Sequence, residues 1–123
     1  MAIASTDFAS LAVAEFPELR EDIEDELNRG LVHCEVGALA QFAQATKGRA
    51  DWTTYERVVR FVDRLLPEAD PPLENALYVS FLEHIDFNGP NGRRAWSHLS
   101  ERLRKGWQEL NDGWGRPRPE WMD

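Results

Sequence analysis

Asn75-Ala76-Leu77-Tyr78-Val79-Ser80-Phe81-Leu82-Glu83-His84-Ile85-Asp86-Phe87 is the stretch on which the fold turns. Wound as a helix it is apolar almost all round, yet it carries Asn75, Ser80, Glu83 and His84. A helix without a polar face belongs in the middle of a core. Polar groups drawn into a core must be hydrogen-bonded, or they cost stability. Residues 72–85 are therefore expected to be central. Asn75, Ser80, Glu83 and His84 form a candidate structural motif that fixes helix register.

The flanks of this segment set its limits. Asp70-Pro71 is a cap followed by proline at the first helical position, so a fifth helix begins there and runs to about Ile85. Asn88-Gly89-Pro90-Asn91-Gly92 is the strongest loop signal in the chain. Beyond it, Trp96, Leu99, Leu103, Trp107 and Leu110 make one apolar seam, and a long sixth helix is expected from about Arg93 to Asn111. Gly106 interrupts that seam, at a cost of about 1 kcal/mol relative to Ala. It would let another helix come close.

Upstream, Asp51 can cap a fourth helix with Trp52, Tyr55, Val59, Val62 and Leu66 at heptad-like spacing, stopped by Pro67. A third helix spans roughly 32–46, with Val32, Val36, Leu39, Ala40 and Ala43 on one stripe. Leu19, Ile23 and Leu27 repeat every four residues in a second helix that starts at Pro17 and leaves at Asn28-Arg29-Gly30. Phe8, Leu11, Ala12 and Phe16 stripe the first, capped by Thr6 or Asp7. No segment shows the alternation of a strand. Short connections make neighbours antiparallel. The expected fold is all-α: a compact bundle of five or six helices joined by short loops, or a stack of helical hairpins. It is expected to form one domain over 1–112 with an irregular tail over 113–123.

At 123 residues and 14.1 kDa one domain is expected. No apolar run approaches the roughly 20 residues of a membrane span, so no membrane partner is expected. The N-terminus lacks a basic region followed by an apolar core, so no secretory leader is expected. The single Cys34 rules out an internal disulfide framework and fits a reducing compartment, so the cytoplasm is the expected location.

The net charge of −8 is unevenly placed. Glu15, Glu18, Glu21, Asp22, Glu24, Asp25 and Glu26 stand against Arg20 alone. Later, Arg93, Arg94, Arg102, Arg104, Lys105, Arg116 and Arg118 outnumber Glu101, Glu109 and Asp112. Acidity disfavours nonspecific nucleic-acid binding, which depends on Lys and Arg neutralising phosphates. It favours a cationic partner, whose approach an acidic face accelerates. The plain alternative is that both clusters are solvated faces that keep the chain soluble.

The three histidines invite a metal or acid–base reading. His33-Cys34-Glu35 and Glu83-His84 are sequence neighbours, which a helix points about 100° apart. No His-x-x-x-His or Cys-x-x-Cys spacing exists, so neither metal nor cofactor is expected. Ser80 and His84, at i and i+4, can meet on one helix face, and a hydrogen bond that locks His84 is the expected use. His33 and His98 read as surface groups. Cys34 reads as a small packing residue. Nothing resembles a nucleophile elbow or a phosphate-cradling loop, so no catalytic residues are assigned.

Five tryptophans form a second candidate. Trp52, Trp96 and Trp107 fit core seams. Trp114 and Trp121 lie in a tail with Arg116 and Arg118, a composition found at binding hot spots. The alternative is that the tail folds back and both indoles cover the open end of the bundle.

The stretch from Glu74 to Phe87, together with Phe16-Pro17-Glu18-Leu19, resembles an uncharacterised family of small bacterial helical proteins with an Asn-Ala-Leu-x-Val-x-Phe-Leu-Glu-His-Leu motif. Ile85 stands where that motif has Leu. The resemblance implies no chemistry. Small acidic proteins of this kind are also similar to immunity proteins of bacterial polymorphic-toxin systems. That analogy implies a non-catalytic inhibitor that binds a basic toxin domain, with Glu18, Glu21, Asp22, Glu24, Asp25, Glu26, Trp114 and Trp121 as partner-binding candidates. Two rivals stand beside it. One is an adaptor that binds a cellular protein through its tail. The other is a small enzyme or metal protein using Glu83 and His84.

Overall fold

Capping chemistry sets the helix starts. The Asp51 carboxylate accepts from the Thr54 N–H, and the Asp70 carboxylate from the Leu73 N–H at 2.9 Å. Each satisfies a donor that the first helical turn leaves orphaned. In this computed structural model, which describes residues 2–122, seven α-helices follow one another among the described residues. Met1 and Asp123, the outer limits of the expected domain and tail, lie outside the described residues.

Helix α1 (Phe8–Glu15) follows a 3-10 turn at Ser5–Asp7, and α2 (Arg20–Glu24) follows one at Pro17–Leu19. Then come α3 (Val32–Gly48) and α4 (Trp52–Leu65). Helix α5 (Pro71–Ala76) runs on into a π-helical segment at Leu77–Phe81. Helices α6 (Gly92–Ser97) and α7 (Glu101–Gly113) complete the set, and a 3-10 turn at Glu120–Met122 follows. No strand occurs among the described residues. An isolated bridge pairs Ile3 with Ala69, and the Ser5 N–H donates to the Asp70 carboxylate.

The fold is all-α as expected, but with seven helices rather than five or six. The difference lies in the expected sixth helix, which breaks at His98-Leu99-Ser100. The Ser100 hydroxyl accepts from the Leu103 N–H and donates to Asp63 at 2.8 Å. It therefore starts α7 afresh. Helix α2 is also shorter than its Leu19-Ile23-Leu27 repeat implies. The Asp25 carboxylate accepts from the Leu27 N–H two residues on, a local turn that competes with the helix. Leu27 consequently sits outside the core at 81% exposure, and Leu11 of the first stripe is 38% exposed.

The segment after Asp70 does lie at the centre. Leu73, Ala76, Leu77, Phe81, Leu82, Ile85 and Phe87 are buried, and α3 packs on α4, on α5 and on the π-helical turn. On the far side Tyr78 presses on Gly106 of α7, where a Cβ would come within 2.7 Å of the ring. Gly92 is needed as well, since a Cβ there would fall 1.9 Å from the Phe87 carbonyl oxygen. The Trp96 and Trp107 rings meet Phe87 edge-on at 5.3 and 5.5 Å between centroids.

Candidate functional site

The helix that begins at Asp70 ends in a way that exposes chemistry. Its last N–H groups turn to nearer carbonyls: His84 donates to Phe81 and Ile85 to Leu82. The Ser80 carbonyl is thereby left for another donor. The His84 side chain supplies it, donating from Nδ1. The proton on Nδ1 is required by the chemistry, because a carbonyl oxygen only accepts. A histidine in the last turn is a common way to satisfy such a carbonyl.

The Ser80 side chain makes the second half of the arrangement. Ser80 is buried, and its hydroxyl shares a 2.6 Å hydrogen bond with Nδ1 of His33, 47 positions away on α3. One residue therefore holds two imidazoles, His84 through its main chain and His33 through its side chain. Both rings are largely exposed, and the Cε1 of His84 lies over Gly37. Together with Asp22 and the exposed Cys34 they border a hollow of about 330 Å³. A serine hydroxyl bonded to imidazole has the form of a nucleophile and its base.

Among the other motif residues, Asn75 and Glu83 are exposed rather than interior. Glu83 faces Arg116 at 3.8 Å, and among the described residues no hydrogen bond joins it to His84. No group of three or more His, Cys, Asp or Glu side chains among the described residues is arranged to hold a metal ion. No described helix is long and apolar enough to cross a membrane. His98 departs from the surface position expected of it. It is half-buried and stacked on Trp52 at 5.4 Å, with Tyr55 at its edge.

The acidic candidates all face solvent. Glu18 lies in the turn before α2, Glu21, Asp22 and Glu24 on α2, and Asp25 and Glu26 in the turn after it. Leu27 and Leu31, at 81% and 55% exposure, stand in the same turn region. Sequence reasoning placed Leu27 in the core and missed Leu31. The signal available was Asp25, whose side chain favours a turn over a continued helix.

The two tail tryptophans part company. Trp121 folds back, donates its indole N–H to the Phe87 carbonyl at 2.8 Å and meets Trp96 at 6.1 Å. Trp114 remains 44% exposed, with the Arg116 guanidinium 4.6 Å from its ring centroid. The tail is tied at two further points. Asn111, buried at the end of α7, donates to the Arg116 carbonyl at 2.9 Å. Arg118 donates to Asp112 at 2.7 and 3.2 Å, which holds the Asp112 carboxyl below its ordinary range.

Between this tail and the 82–88 segment runs a groove of about 360 Å³, bordered by Glu83, Asp86, Trp107 and Trp114. His84 lines both this groove and the hollow beside Asp22. Asp22 and the exposed Trp114, some 90 residues apart in sequence, thus border two depressions that share one imidazole.

Comparison with known proteins gives no match among curated proteins or solved structures. Residues 9–115 match a family described as "Domain of unknown function (DUF7674)". That match takes in every α-helix except the first residue of α1, and it includes the whole hollow beside Asp22 and the groove up to Trp114, so the chain belongs to this uncharacterised family.

Proposed function

We propose that this chain is a non-catalytic protein-binding module of the immunity type, which neutralises a bacterial toxin domain by sitting directly on it. The observation that carries the binding reading is the acidic turn itself. Leu27 and Leu31 are held out in solvent beside Glu21, Asp22, Glu24, Asp25 and Glu26. Exposed apolar side chains with a polar rim are a mark of protein interfaces. A rim of one sign selects and steers a partner of the other sign, here a basic surface. The step from binding to immunity rests on small size, a net charge of −8 and resemblance to inhibitors of that class. The exposed Cys34 thiol agrees with action in the reducing cytoplasm.

The test is co-expression with the product of the adjacent gene. The neighbour should be toxic alone and harmless in the presence of this protein, and the two should copurify. A neighbour that is harmless alone, or that kills equally well beside this protein, overturns the immunity reading.

An adaptor that binds a cellular protein through the tail is the second reading, and the exposure of Trp114 favours it. The docking of Trp121 against Phe87 and Trp96 leaves that reading a single free anchor. Charge reversal on α2 and Trp114→Ala separate the two: the immunity reading loses most from the first, the adaptor reading from the second.

A further inference from the structure

We propose that the groove between the 82–88 segment and the tail is an acceptor for an arginine side chain of a partner protein, and that the chain's own Arg116 occupies it as a placeholder. The chemistry of the walls points to this occupant. One wall carries the Glu83 and Asp86 carboxylates, and the other carries the exposed face of Trp114. Carboxylates paired with an indole face match a guanidinium, which is planar, always charged and stacks on aromatic rings.

Arg116 shows that the match works. Its guanidinium lies 4.6 Å from the Trp114 ring centroid, and its Nη2 lies 3.8 Å from the Glu83 carboxylate. That contact is loose. The pair is longer than a charge-assisted hydrogen bond of about 2.7–2.9 Å, and the Arg116 side chain is 54% exposed. The backbone of Arg116 is instead firmly held. Asn111 donates from its side chain to the Arg116 carbonyl at 2.9 Å and accepts the Arg116 N–H on its own carbonyl at 3.1 Å. A fixed backbone with a loosely held side chain lets the guanidinium leave without unravelling the tail. A partner's arginine entering the groove would replace Arg116 on the same two groups.

This assignment stands apart from the immunity reading, because any partner with an exposed arginine would satisfy it. The test uses a short blocked peptide, acetyl-Gly-Arg-Gly-amide, titrated into the full chain. The five indole N–H signals are followed by 15N NMR. The Trp114 signal should shift selectively with the arginine peptide and not with acetyl-Gly-Glu-Gly-amide. Arg116→Ser should strengthen the apparent affinity at least about threefold, because removing an internal competitor raises the fraction of open sites. Glu83→Gln should weaken it. Unchanged or weaker binding in Arg116→Ser, or equal shifts with the glutamate peptide, overturns the proposal. So does the absence of any shift at Trp114. A normal spectrum for the remaining four indoles checks that each variant is folded.

Discussion

His84, in the turn after the π-helical segment, donates its Nδ1 proton to the main-chain carbonyl of Ser80 four residues back, while the Ser80 hydroxyl bonds His33 on α3. The two contacts differ in kind, and denaturation can tell them apart. His84→Ala should cost about 1 kcal/mol, the net worth of an ordinary hydrogen bond. Because it acts through the main chain, its effect should simply add to that of Ser80→Ala. His33→Ala and Ser80→Ala share one bond, so their double-mutant cycle should show a coupling of at least about 0.5 kcal/mol. Urea unfolding of the native chain, the three single variants and the two double variants measures both. Additive behaviour for His33 and Ser80 would mean that the hydroxyl does not link the helices.

Leu77 and Phe81 are fully closed to solvent at the centre of the molecule. Leu77→Ala or Phe81→Ala should therefore cost about 2–5 kcal/mol, the lost transfer energy plus that of the cavity. A cost below about 0.5 kcal/mol, the range of surface sites, would contradict the central place of this segment.

Local chemistry made much of this fold readable from sequence. Asp51 and Asp70 cap the helices they were expected to cap. Residues 88–91 lie in the loop before α6, and Leu73, Ala76, Leu77, Phe81, Leu82, Ile85 and Phe87 supply the centre. What stayed hidden was decided by competition or by distance. Ser100 could extend a helix or start one, and its bonds to Leu103 N–H and Asp63 choose the second. Asp25 ends α2 early against an intact apolar repeat. The His33–Ser80 contact spans 47 positions and leaves no periodic trace. Asp22 and Trp114 were visible singly, but that the depressions they border share His84 depends on the tertiary fold.

Gly106 offers a prediction in which two effects oppose each other. Alanine in a helix interior is favoured over glycine by about 1 kcal/mol. Here its Cβ would lie 2.7 Å from the Tyr78 ring and 3.4 Å from Leu82. Overpacking of that kind costs about 1–3 kcal/mol. Gly106→Ala should therefore lower stability by about 1 kcal/mol in the native sequence. In a Tyr78→Ala background, where the ring is gone, the same substitution should raise stability. Thermal unfolding of the four proteins reads the sign directly. Stabilisation in both backgrounds would show that Tyr78 yields without cost.

Tyr55 makes stability fall at high pH. Burial pushes its phenol well above the ordinary value of 10.0, and its hydroxyl donates to the Ala95 carbonyl at 3.1 Å. In the unfolded chain the phenol loses its proton near pH 10.0, while in the folded protein it keeps it. Its contribution is thus fully present below pH 10.0 and declines as pH rises toward the folded value. Tyr55→Phe should cost about 0.5–1.5 kcal/mol at neutral pH, the net worth of one hydrogen bond, since the Ala95 carbonyl keeps the His98 N–H. It should also flatten the decline above pH 10.0. Burial raises Tyr78 as well, so a smaller slope should survive in the variant. Urea midpoints measured from neutral to strongly alkaline pH test this, and an unchanged slope in Tyr55→Phe would assign the effect elsewhere.

The acidic turn carries the final prediction. Charges at the rim of an interface act mainly on association, because they orient partners before contact, whereas buried anchors govern dissociation. Glu21, Asp22 and Glu24 are exposed on α2. Asp25 is left in place in this experiment, because its carboxylate holds the Leu27 N–H and shapes the turn. Reversing the first three to Lys should leave the circular dichroism spectrum unchanged. It should slow association with the basic partner at least about tenfold at low salt, within the range that steering supplies. The gap between native and reversed proteins should close as salt rises, since the Debye length shrinks from about 30 Å at 0.01 M to about 3 Å at 1 M. Leu27→Ser with Leu31→Ser should do the opposite, speeding dissociation while leaving association nearly unchanged. Stopped-flow association and surface-capture dissociation separate the two rates. If charge reversal altered only dissociation, or the leucine pair only association, the acidic turn would not be an interface of steering rim and apolar anchor.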